Sequence, residues 1–122
     1  MSELKIIYDF GSNNGDDILY YLQKSDMVVA IEANPVLIEQ IKARLAQDIA
    51  NRRLIVEHCI LTDGNDSETV SFYVHKQNHV LSQFPRPDTS RLADFDEIKV
   101  VSRNVIDIIN QYGTPVLYQD RS

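Results

Sequence analysis

At 122 residues the chain has room for one domain with one modest core. Hydrophobic residues make up 43% and charged residues 25%, an ordinary globular balance that excludes a disordered or fibrous chain. Lys and Arg number 12 against 18 Asp and Glu, a formal charge of −6 with no basic run, which argues against nucleic acid or anionic lipid as partner and for small or neutral substrates.

The apolar stretches, such as Met27 to Ile31, are too short to cross a bilayer. The opening Met-Ser-Glu-Leu-Lys has neither the long apolar region nor the small-residue cleavage site of a signal peptide. Cys59, the single cysteine, can form no internal disulfide, so a reducing cytoplasm is the expected location. Arg52 and Arg53, the nearest approach to a basic cluster, are expected to complement the dipole of the helix they follow.

In chain order, Lys5 to Phe10 reads as a short buried strand and Gly11-Ser-Asn-Asn-Gly15 as the turn that ends it. A helix is expected from about Asp16 to Lys24, with Ile18, Leu19 and Leu22 turned inward. Met27 to Ile31 is a second buried strand, ending at Glu32. Asn34-Pro35 starts a second helix: Asn can cap free N–H groups and Pro suits the first helical position. Ile38, Ile41, Leu45 and Ile49 form one apolar stripe on it, with Glu39, Lys42 and Asp48 facing water.

Leu54 to Leu61 is a third strand, closed by the turn-rich stretch from Thr62 to Ser67. Thr69 to Val74 is another strand. Residues 75–96 hold two prolines and little periodicity, and are expected to make a long irregular excursion. Ile98 to Ser102 resumes strand character. Val105, Ile108 and Ile109 mark a short helix stopped near Gly113. Thr114 to Asp120 reads as the next strand. Strands alternating with helices predict an α/β fold with a mostly parallel sheet, in one domain over residues 1–122.

In such sheets ligands bind outside the carboxyl ends of the strands. The first strand ends in Asp9-Phe-Gly-Ser-Asn-Asn-Gly15, where Gly11 permits a tight turn and Gly15 lets the backbone approach a ligand or pack against the sheet. Glu32, at the end of the second strand, can accept hydrogen bonds from both hydroxyls of a ribose. Taken singly, Asp9 reads equally as a strand-end residue bonding the turn, Gly11 and Gly15 as turn glycines, and Glu32 as a solvated acid. Their joint placement favours a nucleoside site. Asn34 is expected to act mainly as a helix cap, with ligand contact secondary.

Charge selects the nucleoside. A dinucleotide sets its pyrophosphate on the first helix, where N–H groups and the dipole attract anions. Here Asp16 and Asp17 open that helix and Asp9 adds a further acid. This loop disfavours a nicotinamide dinucleotide, the rival ligand, and suits S-adenosylmethionine, which has no phosphate and carries a sulfonium and an ammonium.

Other constellations carry less. His75 and His79 have a metal-like spacing only on a helix, and this stretch reads as a loop, so no metal is expected. His58 and Cys59 read as structural rather than as a base and nucleophile. Phe72 and Tyr73 read as alternating strand residues, one of which is placed to flank a substrate. No Ser/His/Asp arrangement or phosphate-binding Gly-Lys-Ser/Thr motif is present.

Tyr8-Asp-Phe-Gly-Ser-Asn-Asn-Gly-Asp-Asp17, followed by Ala30-Ile-Glu-Ala-Asn-Pro35, resembles the FkbM-type methyltransferases, with their Asp-x-Gly-x-Asn-x-Gly loop and Glu-Pro/Ala-Asn-Pro-like second motif. Cys59 to Asp63, Val70 to Tyr73 and Val101 to Gly113 resemble later segments of the family, so the likeness runs along nearly the whole chain. It implies a Rossmann-like class I methyltransferase fold, with helices on both faces of the sheet. By the same likeness the loop from Asp9 to Gly15, with Gly11 and Asn13, would hold the methionine part of S-adenosylmethionine. Glu32 would hold the ribose, and Cys59 and Ile60 would line the adenine pocket, although many class I enzymes carry an acid where Cys59 stands.

The family's fourth strand usually reads Lys-Ile-Asp followed by Glu-Gly. Tyr118-Gln-Asp-Arg-Ser122 keeps only Asp120. The sequence thus predicts a domain cut short after its fourth main strand, whose exposed edge invites self-association. The implied reaction is O-methylation of a small hydroxylated molecule or a sugar, with Asp120 orienting or deprotonating the hydroxyl. The alternative is a non-catalytic cofactor-binding fragment.

Overall fold

The computed structural model describes residues 4–64, 68–77, 82 and 84–115. The expected strand over Thr114 to Asp120, the edge it would expose, Asp120 itself, His79 and the end of the turn at Ser67 lie outside these residues, apart from Thr114 and Pro115.

The protein is α/β. Its first sheet is parallel and made of β1 (Ile6–Phe10), β2 (Met27–Glu32) and β3 (Leu54–His58), with β2 central. Ile6 pairs with Met27 and Val28 with Leu54. On the other edge of β1, Pro115 makes a parallel bridge to Ile6. β1 is therefore flanked by β2 on one side and by the chain's return after its last helix on the other.

The pleat sends alternate residues to opposite faces, and both faces are covered. Ile7, Val28, Ala30 and Leu54 pack under α1 (Ile18–Lys24) and α2 (Pro35–Arg44), through Ile18, Leu22 and Ile41. Ile6, Val29 and Ile31 pack on the opposite face against Ile108 of α4 (Val105–Tyr112). Ile18, Ile41 and Leu54 are essentially inaccessible, and burying each such side chain contributes about 1.5–3 kcal/mol.

Several expectations are refined. The first helix begins at Ile18, with Asp17 as its cap residue, and Leu19 is 47% exposed rather than turned inward. The stripe from Ile38 to Ile49 spans two helices, because Leu45 leaves helical geometry between α2 and α3 (Ala46–Ala50), although Leu45 itself stays buried. Arg53 does not serve the helix it follows: its guanidinium bonds the carbonyl oxygens of Leu22 and Ser25 at the end of α1.

The third predicted strand divides. β3 stops at His58, the Cys59 N–H bonds the Glu32 carbonyl at 3.2 Å, and Ile60–Thr62 continues as β4 in a second sheet. One apolar run serves two sheets, and an unbroken run carries no mark of where the partner changes. The second sheet orders as β4, β6 (Phe95–Asn104) and β5 (Thr69–His75), with β4 parallel and β5 antiparallel to β6. Within the excursion expected over 75–96, residues Thr89–Asp94 form a 3-10 turn and β6 already begins at Phe95. Phe72 and Tyr73 are both buried rather than alternating in exposure. Among the described residues no helix is long and apolar enough to cross a membrane.

Candidate functional site

The two sheets meet over a cleft of about 320 Å³ at the carboxyl ends of β1 and β2, within the ~300–1,000 Å³ range of ordinary ligand pockets. β1 contributes Phe10 and the following loop Gly11 and Asn13. β2 contributes Ile31 and Glu32, and the turn into α2 adds Asn34 and Leu37. The crossing between sheets adds Cys59, Ile60 and Leu61, and β5 adds Phe72. Six residues expected from sequence at a cofactor site, Gly11, Asn13, Glu32, Asn34, Cys59 and Ile60, thus line one cleft.

Glu32 is 7% exposed. Its Oε1 accepts the Asn13 N–H at 2.8 Å, and Oε2 accepts those of Ala33 and Asn34 at 3.0 Å each. It is therefore no solvated surface acid. It binds the end of β2 to the loop from β1, with three of a carboxylate's roughly four acceptor sites filled.

Gly11 (φ +70°) and Asn13 (φ +54°) give the loop its left-handed turns. The Gly11 and Ser12 N–H groups both donate to the Ile31 carbonyl, at 2.8 and 3.1 Å. Nothing stands within 4 Å of where a Gly11 Cβ would be, and this glycine lines the cleft. Gly15 (φ +90°) does a different job. It sits under Ile41, Ile18 and Leu45, with Ile41 Cγ1 at 3.2 Å from an added Cβ, and does not line the cleft.

Asp9, expected from sequence at the cofactor site, lies in β1 and is not among the residues lining the cleft. Its Oδ2 is shielded from water and has no hydrogen-bond partner. Burial pushes its carboxyl pKa up, opposed by the Ser12 hydroxyl and reinforced by the charges of Asp17 and Glu32. Asp16 is paired with Arg44 at 3.0 Å on the exposed side of the loop, a contact worth at most ~1 kcal/mol. Among the described residues no Lys or Arg lines the cleft.

Asn34 caps α2, its Oδ1 accepting the Val36 N–H at 3.0 Å. His58 Nε2 lies 2.8 Å from the Ala33 carbonyl and braces the same corner. Cys59 is buried, at 2% exposure. His75 stacks edge-on against Phe95. Among the described residues no group of three or more His, Cys, Asp or Glu is arranged to hold a metal ion.

Sequence reasoning missed Phe10, Ile31, Ala33, Leu37, Leu61, Ser82 and Phe84 as cleft residues. Only the 53% and 44% exposure of Phe10 and Phe84, which an apolar residue type does not announce, distinguishes those two from core. The chemistry of the walls fits a neutral or cationic ligand with a flat apolar part and a hydroxyl-bearing part: apolar faces from Ile31, Ile60 and Phe72, and one acid, Glu32. The chain matches no family model and no curated protein sequence.

Proposed function

We propose that the protein is an FkbM-type, S-adenosylmethionine-dependent methyltransferase with a Rossmann-like class I fold. The observation that carries this reading is the cleft at the ends of β1 and β2, which joins Glu32 to the glycine loop and has no Lys or Arg among the described residues of its walls. Its position supports the reading as well. β1 lies between β2 and the segment at Pro115, and in open α/β sheets ligands bind where strand order reverses. Helices on both faces are in keeping with that architecture.

In this reading Glu32 holds the ribose hydroxyls, the loop from Asp9 to Gly15 holds the methionine portion, and Cys59 and Ile60 line the adenine pocket. When bound, the cofactor supplies an electrophilic methyl group on a sulfonium. Glu32 on the wall, and the lack of Lys or Arg among the described lining residues, favour that cation over a pyrophosphate. The apolar walls exclude water and fix orientation, the means by which a transfer between two held partners gains most. The acceptor is a small hydroxylated molecule or sugar methylated on oxygen, with Asp120 proposed to orient or deprotonate the hydroxyl.

Calorimetric titration with S-adenosylhomocysteine tests the reading. Saturable binding that Glu32→Ala weakens is the expected result. Thermal stabilisation by NAD and not by S-adenosylhomocysteine would overturn it.

A further inference from the structure

β3 is the outer strand of the first sheet, and among the described residues only β2 pairs with it. The Val28 N–H donates to the Arg53 carbonyl at 2.8 Å, and the Cys59 N–H to the Glu32 carbonyl at 3.2 Å. Alternate residues of a strand turn their backbone groups the same way, so Arg53, Ile55, Glu57 and Cys59 face β2. Leu54, Val56 and His58 therefore turn their N–H and carbonyl groups to the outer edge.

That edge is open. A groove of about 440 Å³ is lined by Leu54, Ile55 and Val56 of the strand and by Lys42, Ala46, Ile49 and Arg52 of α2, α3 and the turn that follows. Successive strand side chains point to opposite faces, so three consecutive residues share one groove only along the strand's edge. The groove has no lining residue in common with the cleft. Edges left unused are commonly blunted by Lys, Pro or a protruding charge. Leu54 to His58 contains no Lys or Pro, and the Glu57 carboxylate is held by Tyr112 and Arg103.

A row of alternating backbone donors and acceptors is complemented by a second extended backbone, the mode of β-augmentation. Charge selects its side chains. Lys42 and Arg52 are the charged residues among the described lining, and Lys42 has only an exposed contact with Glu39 at 3.8 Å. A fatty acid would meet the apolar walls and the cations but leave the backbone row unmatched. A second copy of the chain, paired through β3, would set one basic rim beside another on the same face of the sheet.

We infer that the outer edge of β3 and its groove bind an extended acidic peptide segment of another protein. The segment adds a strand to the first sheet, with apolar side chains against Ala46 and Ile49 and carboxylates at Lys42 and Arg52. This site stands apart from the cofactor reading and does not depend on it.

Fluorescence anisotropy on the full chain tests it, with a labelled short peptide of alternating valine and glutamate and a control carrying lysine for glutamate. Wild type is expected to bind the glutamate peptide about tenfold tighter, because attraction at two partly exposed cations is exchanged for repulsion. In Arg52→Glu the ratio is expected to fall to about one, the rim then carrying one charge of each sign. Val56→Pro removes an outward N–H that the sheet does not use, so binding is expected to be lost while the fold remains. Hydrogen exchange on wild type needs no variant: saturating glutamate peptide should slow the Leu54 and Val56 amides, leaving those of Ile55 and Glu57, already bonded to β2, unchanged. No binding, a wild-type ratio near one, binding that persists in folded Val56→Pro, or unaltered exchange at Leu54 and Val56 overturns the inference. So does a wild-type dimer in sedimentation that Val56→Pro abolishes, which would assign the edge to a second copy.

Discussion

The backbone N–H of Asn13 donates a 2.8 Å hydrogen bond to Oε1 of Glu32, fastening the loop after β1 to the end of β2. Oε2 is already taken by the N–H groups of Ala33 and Asn34. Three of the roughly four acceptor sites of the carboxylate are therefore filled. A ligand diol arriving at Glu32 has to share or displace the Asn13 bond, and Asn13 holds a left-handed φ of 54° that keeps its peptide aimed there.

Glu32 is expected to matter for stability as well as for binding. Glu32→Ala leaves three donors without their acceptor and should destabilise the fold by at least about 2 kcal/mol, whereas Glu32→Gln keeps one oxygen and should cost about 1 kcal/mol. Urea denaturation of both variants checks this. An alanine variant as stable as wild type would show that the brace is unimportant.

Asp9 is expected to oppose stability at neutral pH. Burial raises its folded pKa, so the folded state binds a proton more readily than the unfolded chain. Stability is then lost as pH rises from the ordinary carboxylate range through the raised value, and stays lower above it. Asp9→Asn should melt at a higher temperature than wild type at pH 7. The gap should close below the ordinary carboxylate range. Equal melting temperatures at neutral pH would contradict this.

The two loop glycines are expected to separate cleanly. Gly11→Ala places a Cβ in open space and pays only the left-handed backbone cost, about 1–2 kcal/mol. Gly15→Ala adds to a similar backbone cost a contact at 3.2 Å with Ile41, and should lose about 1 kcal/mol more. Ligand affinity should respond in the opposite order, because Gly11 and not Gly15 lines the cleft. Chemical denaturation and calorimetry on the same two variants measure both.

Tyr112, Glu57 and Arg103 tie α4, β3 and β6 together. The Tyr112 hydroxyl donates to Glu57 Oε2, and Arg103 lies 3.5 Å from Oε1, with the Glu57 and Arg103 side chains each less than a fifth exposed. Burial, then the Glu57 hydrogen bond and charge, push the Tyr112 pKa above its ordinary value. Its neutral form is thus favoured by folding. That stability is present below the ordinary tyrosine pKa and lost as pH rises beyond it. Tyr112→Phe should cost about 1–2 kcal/mol at neutral pH and should flatten the alkaline fall. An alkaline limb as steep in the variant as in wild type would assign it to other groups.

The cleft was largely legible because its polar parts are local signals. A glycine turn after one strand, an acid after the next and an Asn-Pro helix start each follow from backbone conformational limits or from capping, which depend on near neighbours. Leu54 to Leu61 shows where such reasoning stops. Its apolar run is compatible with one strand, and only the presence of β6 beside Ile60 divides it between two sheets. Phe10 and Phe84 make the same point from the other side, since exposure at a cleft mouth is decided by what lies opposite.

Arg53 draws the line most sharply. By sequence it follows α3, yet its guanidinium reaches back to the end of α1. Sequence by itself determined the alternation of elements, the α2 cap and the residue types at the ends of β1 and β2, because these depend on contacts within a few residues. Tertiary structure alone decided that Glu32 is braced by three N–H groups, that Gly15 packs under Ile41 while Gly11 lines the cleft, and that Asp9 and Asn34 each keep one buried polar atom without a partner. Those properties depend on which distant segments come together, and hydrogen-bond satisfaction and burial are set by that meeting.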